Sequence, residues 1–210
     1  MTKKLAVFDF DSTLMDGETI EIIASELGLQ EEVAKITSQA MEGKLDFFDS
    51  LTHRVSLLKG MKESRVDEIC HNLPYMPGAK ETITELKKRG YTVVCFSCGF
   101  KNATAYAKDI LGYDAEFSNI LHSKDGILTG LVGVPMMFST SKGEMLQKLQ
   151  ATLGIGAKDT LVVGDGANDL SMFKYAKTRA AFCAKEILKK EATLVIDKKY
   201  LFQIIINLDK

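Results

Sequence analysis

The stretch LAVFDFDSTL, residues 5–14, is an apolar run that ends on two acids, Asp9 and Asp11, with only Phe10 between them. Leu5 to Phe8 has the continuous apolar character of a strand buried on both faces. Carboxylates at the end of such a strand are costly to bury unless something pairs with them. Whatever pairs with them decides both the fold and the chemistry.

Outward from that strand the period changes. Ile20, Ile23 and Leu27, then Val33, Ile36 and Ala40, then Phe47, Leu51, Val55 and Leu58 recur at helical spacing. Gly28, Gly43 and Gly60 fall where those helices would end. Val66, Ile69, Cys70 and Leu73 predict one more helix, closed by Pro74 and Pro77. Beyond it strands and helices alternate. Ala79, Ile83 and Leu86 mark a helix ending near Gly90, YTVVCF a strand, and Phe100 to Leu111 a helix. ILHSKDGILTGLVGV has the pattern of a hairpin turning at Asp125-Gly126. Met145, Leu146, Leu149 and Leu153 mark a helix, TLVV a strand, AAFCA and TLVI two more, and LFQIIINL a closing helix. The pattern predicts an α/β fold, a doubly wound parallel sheet built from residues 1–15 and 75–210, with a small helical cap at 16–74 inserted after the first strand.

Composition narrows the function classes. Of 210 residues 46% are apolar, enough for a packed core, and 27 basic against 28 acidic residues leave a net charge of −1. Nucleic-acid binding needs a basic surplus, so no nucleic-acid partner is expected, and Lys189-Lys190 and Lys198-Lys199 read as solvated faces. No apolar run approaches the roughly 20 residues that span a bilayer, and the apolar stretch after the two N-terminal lysines is too short for a signal peptide. Cys70, Cys95, Cys98 and Cys183 form no dense disulfide framework, which suits a reduced, cytoplasmic setting.

Three segments share one grammar, an apolar strand followed at once by small or polar residues: AVFDFDST, VVCFSCGF and LVVGDGAND. In open parallel sheets, sites form beyond the carboxyl ends of strands at a topological switch point, so these segments are expected to converge. They supply Asp9, Asp11, Asp165 and Asp169, with Ser97 and Asn168. Two like charges about 4 Å apart repel by roughly 4 kcal/mol at an effective dielectric near 20. A hard cation resolves this, and Mg²⁺ is usually held by one or two carboxylates plus substrate phosphate. A carboxylate is also a nucleophile toward phosphorus. Residues i and i+2 of extended backbone face the same way, so Asp11 is expected within reach of the group that Asp9 attacks. Lys142, opening the helix of STSKGEMLQKL, and the Ser97 hydroxyl suit phosphate oxygens.

Each residue also has a plainer reading. Asp11 alone serves equally as a helix cap, Lys142 as a solvated lysine, Ser97 as a turn residue, and Asp169 as an anion at a helix N-terminus. Met41 and Phe47 sit among helix-spaced apolar residues, where core packing accounts for them. Cys95-x-x-Cys98 has neither a second such pair nor a neighbouring histidine to complete a zinc set, and His53, His71 and His122 are scattered. It is the combination of acids, lysine and their spacing that favours a site.

With these residues assembled, the chain resembles the haloacid dehalogenase superfamily. Its D-x-D-x-T signature stands as DFDST, its second motif as FSCGF, its lysine as Lys142, and its acidic motif as GDGAND. GETIEIIA, ITSQAMEGKLDFFDSLTHRVSLLKG and DGILTGLVG are similar to the branch acting on O-phospho-L-serine, so the likeness covers nearly the whole chain. The resemblance implies a magnesium-dependent phosphomonoesterase of serine biosynthesis whose partner is that small molecule. It implies Asp9 as nucleophile and Asp11 as acid and base. It implies Mg²⁺ on Asp9, the Asp11 carbonyl and Asp165, and a phosphate cradle of Ser97, the amide of Cys98 or Gly99, Lys142 and Asn168, with Asp169 behind them. In the cap, Glu18 would meet the substrate ammonium, Arg54 its carboxylate, and Met41 and Phe47 would form the apolar wall. An exposed ion pair remains the plainer reading of Glu18 and Arg54.

Two departures and two rivals follow. The family usually has glycine where Cys98 stands, so an ordinary negative φ is expected there, and a thiol beside a phosphate pocket raises the prospect of oxidation. YAKTRAAFCAKE lacks a glycine the family tends to carry, which is expected to alter a loop without touching chemistry. One rival keeps the chemistry on another small phosphorylated amine, or transfers phosphate to or from a compound such as phosphohomoserine. The other is a receiver-type phosphoacceptor module.

Overall fold

The computed structural model describes residues 3–209; the ends of the predicted core, residues 1, 2 and 210, lie outside the described residues. Strand β1 is Lys4–Phe8, and Leu5, Ala6, Val7 and Phe8 are fully buried, as a strand with neighbours on both edges and both faces must be. Four helices follow: α1 (Thr19–Ser25), α2 (Gln30–Met41), α3 (Phe47–Ser56) and α4 (Glu63–His71). The chain then runs through α5 (Ala79–Lys88), β2 (Tyr91–Phe100), α6 (Lys101–Leu111), β3 (Ala115–Lys124) and β4 (Ile127–Gly133). It closes through α7 (Ser141–Leu153), β5 (Thr160–Gly164), α8 (Leu170–Phe173), β6 (Thr178–Phe182), α9 (Glu186–Lys189), β7 (Leu194–Ile196) and α10 (Gln203–Leu208).

Among the described residues, one seven-stranded sheet has the order β4-β3-β2-β1-β5-β6-β7. β1 is parallel to β2 and β5, with Phe8 opposite Cys95 on one side and Val163 on the other. The chain winds outward to β2 and β3 on one flank and to β5, β6 and β7 on the other, so the topological switch lies at β1. Asp9 and Asp165 follow β1 and β5, and Ser97 lies near the carboxyl end of β2, which brings three distant segments to one edge.

Two strands differ from their predicted form. β2 continues past Phe96 to Phe100, and its register with β3 shifts between Ser97 and Phe100, so Cys98 and Gly99 bulge from the ladder. β3 is two-faced: it runs parallel to β2 as far as Asn119, then turns antiparallel against β4 from Ile120. The hairpin turn does fall at Asp125-Gly126, both with left-handed φ (51° and 75°).

The segment carrying α1 to α4 leaves and rejoins the sheet at one place. Met15 bridges Tyr75, the Asp16 amide donates to the Pro74 carbonyl (2.8 Å), and the Met76 amide donates to Leu14 (2.9 Å). The helices pack on one another, with α3 against β4 and α4 against α6. Ile20, Ile23, Val33, Leu51, Val55, Leu58 and Val66 turn inward as their helical spacing predicts.

Candidate active site

After Phe8 the Asp9 amide still donates to the Val163 carbonyl (2.9 Å), so Asp9 keeps the line of the strand. Asp11 does not. The Phe10 carbonyl accepts from the amides of Thr13, Leu14 and Met15, which winds residues 11–14 into a turn instead of extended backbone. The turn, and not an i, i+2 alternation, aims the second acid. Its Oδ1 accepts from both the amide (2.7 Å) and the hydroxyl of Thr19 at the start of α1. Oδ2 lies against Gly99, where an added Cβ would stand 2.6 Å from it and 3.0 Å from Ser97 Oγ. Gly99 is thus glycine because the second acid and the serine hydroxyl leave no room for a side chain.

The β2 bulge supplies the opposite wall. Ser97 is fully buried, and its Oγ accepts from the Gly99 amide (2.9 Å). Cys98 has no left-handed φ, as its side chain requires. Its carbonyl accepts from Asn119, which also bonds both the amide and carbonyl of Met136 on the way to α7. Burial pushes the Cys98 thiol up to about 12, so at neutral pH it is protonated and a poor target for oxidants.

Lys142, fully buried near the start of α7, places its ammonium 2.7 Å from Asp9 Oδ1 and 2.6 Å from Asp169 Oδ1. Burial alone would strip that charge, but Asp169 and Asp9 outweigh it and hold Lys142 well above its usual range. Asp169 is itself tied down: its Oδ2 accepts the Asp165 and Gly166 amides at 3.0 and 3.2 Å. Gly164 permits this, since an added Cβ there would meet that carboxylate at 2.2 Å.

Asp9, Asp165 and Asp169 each offer a carboxylate oxygen, all within 4.8 Å of one another. Both oxygens of Asp169 are engaged by Lys142 and the two amides. The Asp165 carboxylate and the Asp11 main-chain carbonyl accept no hydrogen bond among the described residues. Burial pushes Asp9 up to about 8, with the Asp169 charge adding and Lys142 opposing. Burial likewise raises Asp11, Glu18 and Asp165, with Glu18 and Asp9 adding charge repulsion at Asp165. Five carboxylates are gathered, and among the described residues Lys142 and Arg54 are the buried cations beside them. Hard oxygen donors with too little positive charge fit a metal ion. The buried Asn168 Oδ1, also without a protein partner, points the same way, toward a ligand.

Above this floor lies a tight cavity of about 20 Å³, lined by Asp9, Asp11, Glu18, Met41, Phe47 and Arg54, among others. Glu18 accepts from the Ser12 hydroxyl (2.6 Å) and Met41 lies over Gly166. Arg54 is buried, not exposed, and no carboxylate among the described residues pairs with it; its Nε donates to the Ser50 carbonyl and its Nη1 to Thr37. All the residues singled out in the sequence therefore meet at one edge. Ser12, Thr19, Thr37 and Asn119 hold them there and were not anticipated. Thr19, next to Glu18 at a helix start, is the one of these with a legible signal.

One expectation about the loop after β6 needs correcting. The Lys185 amide donates to the Asp165 carbonyl (2.8 Å), and Cys183 and Lys185 line a second cavity of about 340 Å³ that reaches Asp165. The altered loop braces the site.

The chain is similar to known proteins in sequence and fold. The haloacid dehalogenase-like hydrolase family model matches residues 3–177. The chain is 62% identical to a phosphoserine phosphatase of Wolinella succinogenes, covering 98% of this chain and 100% of the relative. It is 51% identical to a phosphoserine phosphatase of Methanocaldococcus jannaschii, covering 97% and 96%. Among solved structures it is similar to a phospho-aspartyl intermediate analogue of phosphoserine phosphatase (TM-score 0.96, 50% identity, 99% of each chain). A substrate-bound phosphoserine phosphatase complex superposes at a TM-score of 0.95, with 49% identity over 99% of each chain. The chain belongs to the haloacid dehalogenase-like hydrolase family.

Proposed function

We propose that this chain hydrolyses O-phospho-L-serine to L-serine and phosphate through an aspartyl-phosphate, with Mg²⁺ bound, as the last step of serine biosynthesis. One observation carries the reading. A single narrow cavity joins the Asp9–Asp11 pair to a buried arginine that Glu18, Asp11 and Glu21 influence from a distance but that no carboxylate among the described residues contacts. A buried guanidinium with no carboxylate in direct contact is costly, and a substrate carboxylate supplies that contact.

Lys142 and the Phe10 amide both engage Asp9 Oδ1, which leaves Oδ2 to attack phosphorus. As that bond forms, the bond from phosphorus to the seryl oxygen breaks, and Asp11 delivers a proton to the departing oxygen. Asp11 then takes a proton from water, whose oxygen attacks phosphorus and releases phosphate from Asp9. Ser97, the amides of Cys98 and Gly99, Lys142 and Asn168 hold the phosphoryl oxygens. Asp9, the Asp11 carbonyl and Asp165 would hold Mg²⁺, which would supply the positive charge that lets carboxylates and phosphate share this space. Glu18 meets the ammonium and Arg54 the carboxylate. Met41 and Phe47 form the wall of a lid, residues 16–74, that excludes water over the core of residues 1–15 and 75–210.

The test is phosphate release from O-phosphoserine with EDTA and with added Mg²⁺, alongside a panel of other phosphomonoesters. Turnover that prefers phosphoserine supports the reading. Stoichiometric phosphorylation without turnover would make the chain a phosphoacceptor module, and a preference for an ester lacking the carboxylate would reassign Arg54.

A further inference from the structure

Arg54 is held by a residue that itself sits outside the cavity which Arg54 lines. Thr37 lies on α2 and is 2% exposed; Arg54 lies on α3 and is 3% exposed. The Arg54 Nη1 donates to Thr37 Oγ1 at 3.0 Å, and Nε donates to the Ser50 carbonyl at 3.1 Å. The Thr37 hydroxyl proton is already committed to the Val33 carbonyl one turn back, at 2.9 Å. With that proton spoken for, Oγ1 faces the guanidinium as an acceptor only, so the polarity of the contact is fixed. Two of the three guanidinium nitrogens are thereby anchored, one by α3 itself and one by α2. Nη2 has no protein acceptor among the described residues. Arg54 lines the narrow cavity with Asp9 and Asp11, whereas Thr37 lines the neighbouring one with Glu21 and Lys185.

We infer that Thr37 is a positioning residue for substrate selectivity: through the Arg54 Nη1 contact it aims the guanidinium so that its free edge discriminates phosphomonoesters carrying a carboxylate. The inference rests on the proposed carboxylate-binding role of Arg54 and adds the residue that sets its geometry. A planar fork recognises a carboxylate only at a defined orientation. A threonine-to-valine change keeps the shape and removes the acceptor, leaving a buried N–H unsatisfied and the fork free to turn.

The experiment uses the full chain with Mg²⁺ and two substrates. These are O-phosphoserine and O-phosphoethanolamine, which keeps the ammonium and phosphate but lacks the carboxylate. Thr37→Val is expected to raise KM for phosphoserine about tenfold with kcat changed less than about twofold, and to leave kcat/KM for phosphoethanolamine unchanged. Thr37→Ser, which restores the hydroxyl, is expected to recover most of the loss. Should the valine variant fold poorly, Thr37→Ala removes the same acceptor and is read the same way. An equal loss on both substrates, or no loss on either, overturns the inference. Arg54→Ala separates the two layers. If it discriminates between the substrates and Thr37→Val does not, only the positioning role fails; if Arg54→Ala fails to discriminate, the carboxylate assignment fails and takes this inference with it.

Discussion

Asp9 and Asp11 stand two residues apart and differ in every contact. Asp9 has an ammonium at 2.7 Å and the Phe10 amide at 2.6 Å, both on Oδ1. Asp11 has the amide and hydroxyl of Thr19 on Oδ1, with burial raising its affinity for a proton. Burial raises both acids; at Asp9 the Lys142 charge opposes it, and at Asp11 the two Thr19 donors oppose it, so positive charge beside Asp9 is what favours the anion a nucleophile needs. Asp9→Asn is therefore expected to lower turnover by more than about 10⁴-fold while the fold persists, since a neutral amide relieves repulsion from Asp169. Thermal melting at or above the wild-type temperature together with lost phosphate release checks this; a fully active variant removes Asp9 as nucleophile. The neighbouring glycine gives a second expectation. Gly99→Ala puts a Cβ 2.6 Å from Asp11 Oδ2 and is expected to cost about 10²-fold in kcat/KM, because misplacing a reacting group by about 1 Å has that effect. Cys98→Gly, one residue earlier, is expected to stay within a few fold of wild type. Equal losses at the two positions would show that the bulge, not the approach of Asp11, matters. The same buried thiol, pushed up to about 12, predicts that peroxide leaves wild type as active as Cys98→Gly.

At the scale of elements, each strand that ends at the site was legible because an apolar run stops abruptly on polar residues, and β1, β2 and β5 all do so. The lid helices were legible from their spacing and from Gly28, Gly43 and Gly60, all three of which have left-handed φ. What stayed hidden depends on partners remote in sequence. Nothing local marks β3 as changing from parallel to antiparallel pairing at Asn119, because that is decided by which strand lies alongside. α8 and α9 have four residues each, too short for any period. Thr37 and Ser12 look like ordinary polar residues until α2 and α3, or the turn and α1, are brought together. One lid contact joins two such remote elements: Phe48 of α3 stacks on Phe138, just before α7, with centroids 5.2 Å apart and planes 10° from parallel. The pair is 37% and 53% exposed, so most of its worth is the stacking itself. Phe138→Ala is expected to weaken lid closure by about 0.5–1.5 kcal/mol, raising KM for phosphoserine by about two- to tenfold. An unchanged KM would mean that the lid is held by its other contacts.

Across the whole molecule a net charge of −1 conceals a local imbalance. Asp9, Asp11, Glu18, Asp165 and Asp169 converge where, among the described residues, Lys142 and Arg54 are the buried cations, and a phosphomonoester brings further negative charge. The fold tolerates this by burying the group and by tying Asp169 to two amides. The remaining repulsion has a measurable consequence in the metal-free protein. Burial, reinforced by Asp169, raises Asp9 from a model-peptide value of 3.8 to about 8. A carboxyl raised on folding contributes stability that is fully present below its unfolded pKa and lost as pH rises through its folded one. Asp165 is raised in the same direction, chiefly by burial and then by Glu18 and Asp9. The metal-free protein is therefore expected to melt at a lower temperature near about pH 9 than near about pH 6, the opposite of a fold whose carboxylates are paired. Saturating Mg²⁺ is expected to remove most of that slope and to restore the turnover that EDTA abolishes, because a cation binding the native state stabilises it by mass action and favours the ionised acids. The check is a set of melting curves across that pH range with EDTA and with Mg²⁺. A flat metal-free profile would mean that the gathered carboxylates are already neutralised by the protein, and the case for a cation at this edge of the sheet would then have to rest on turnover alone.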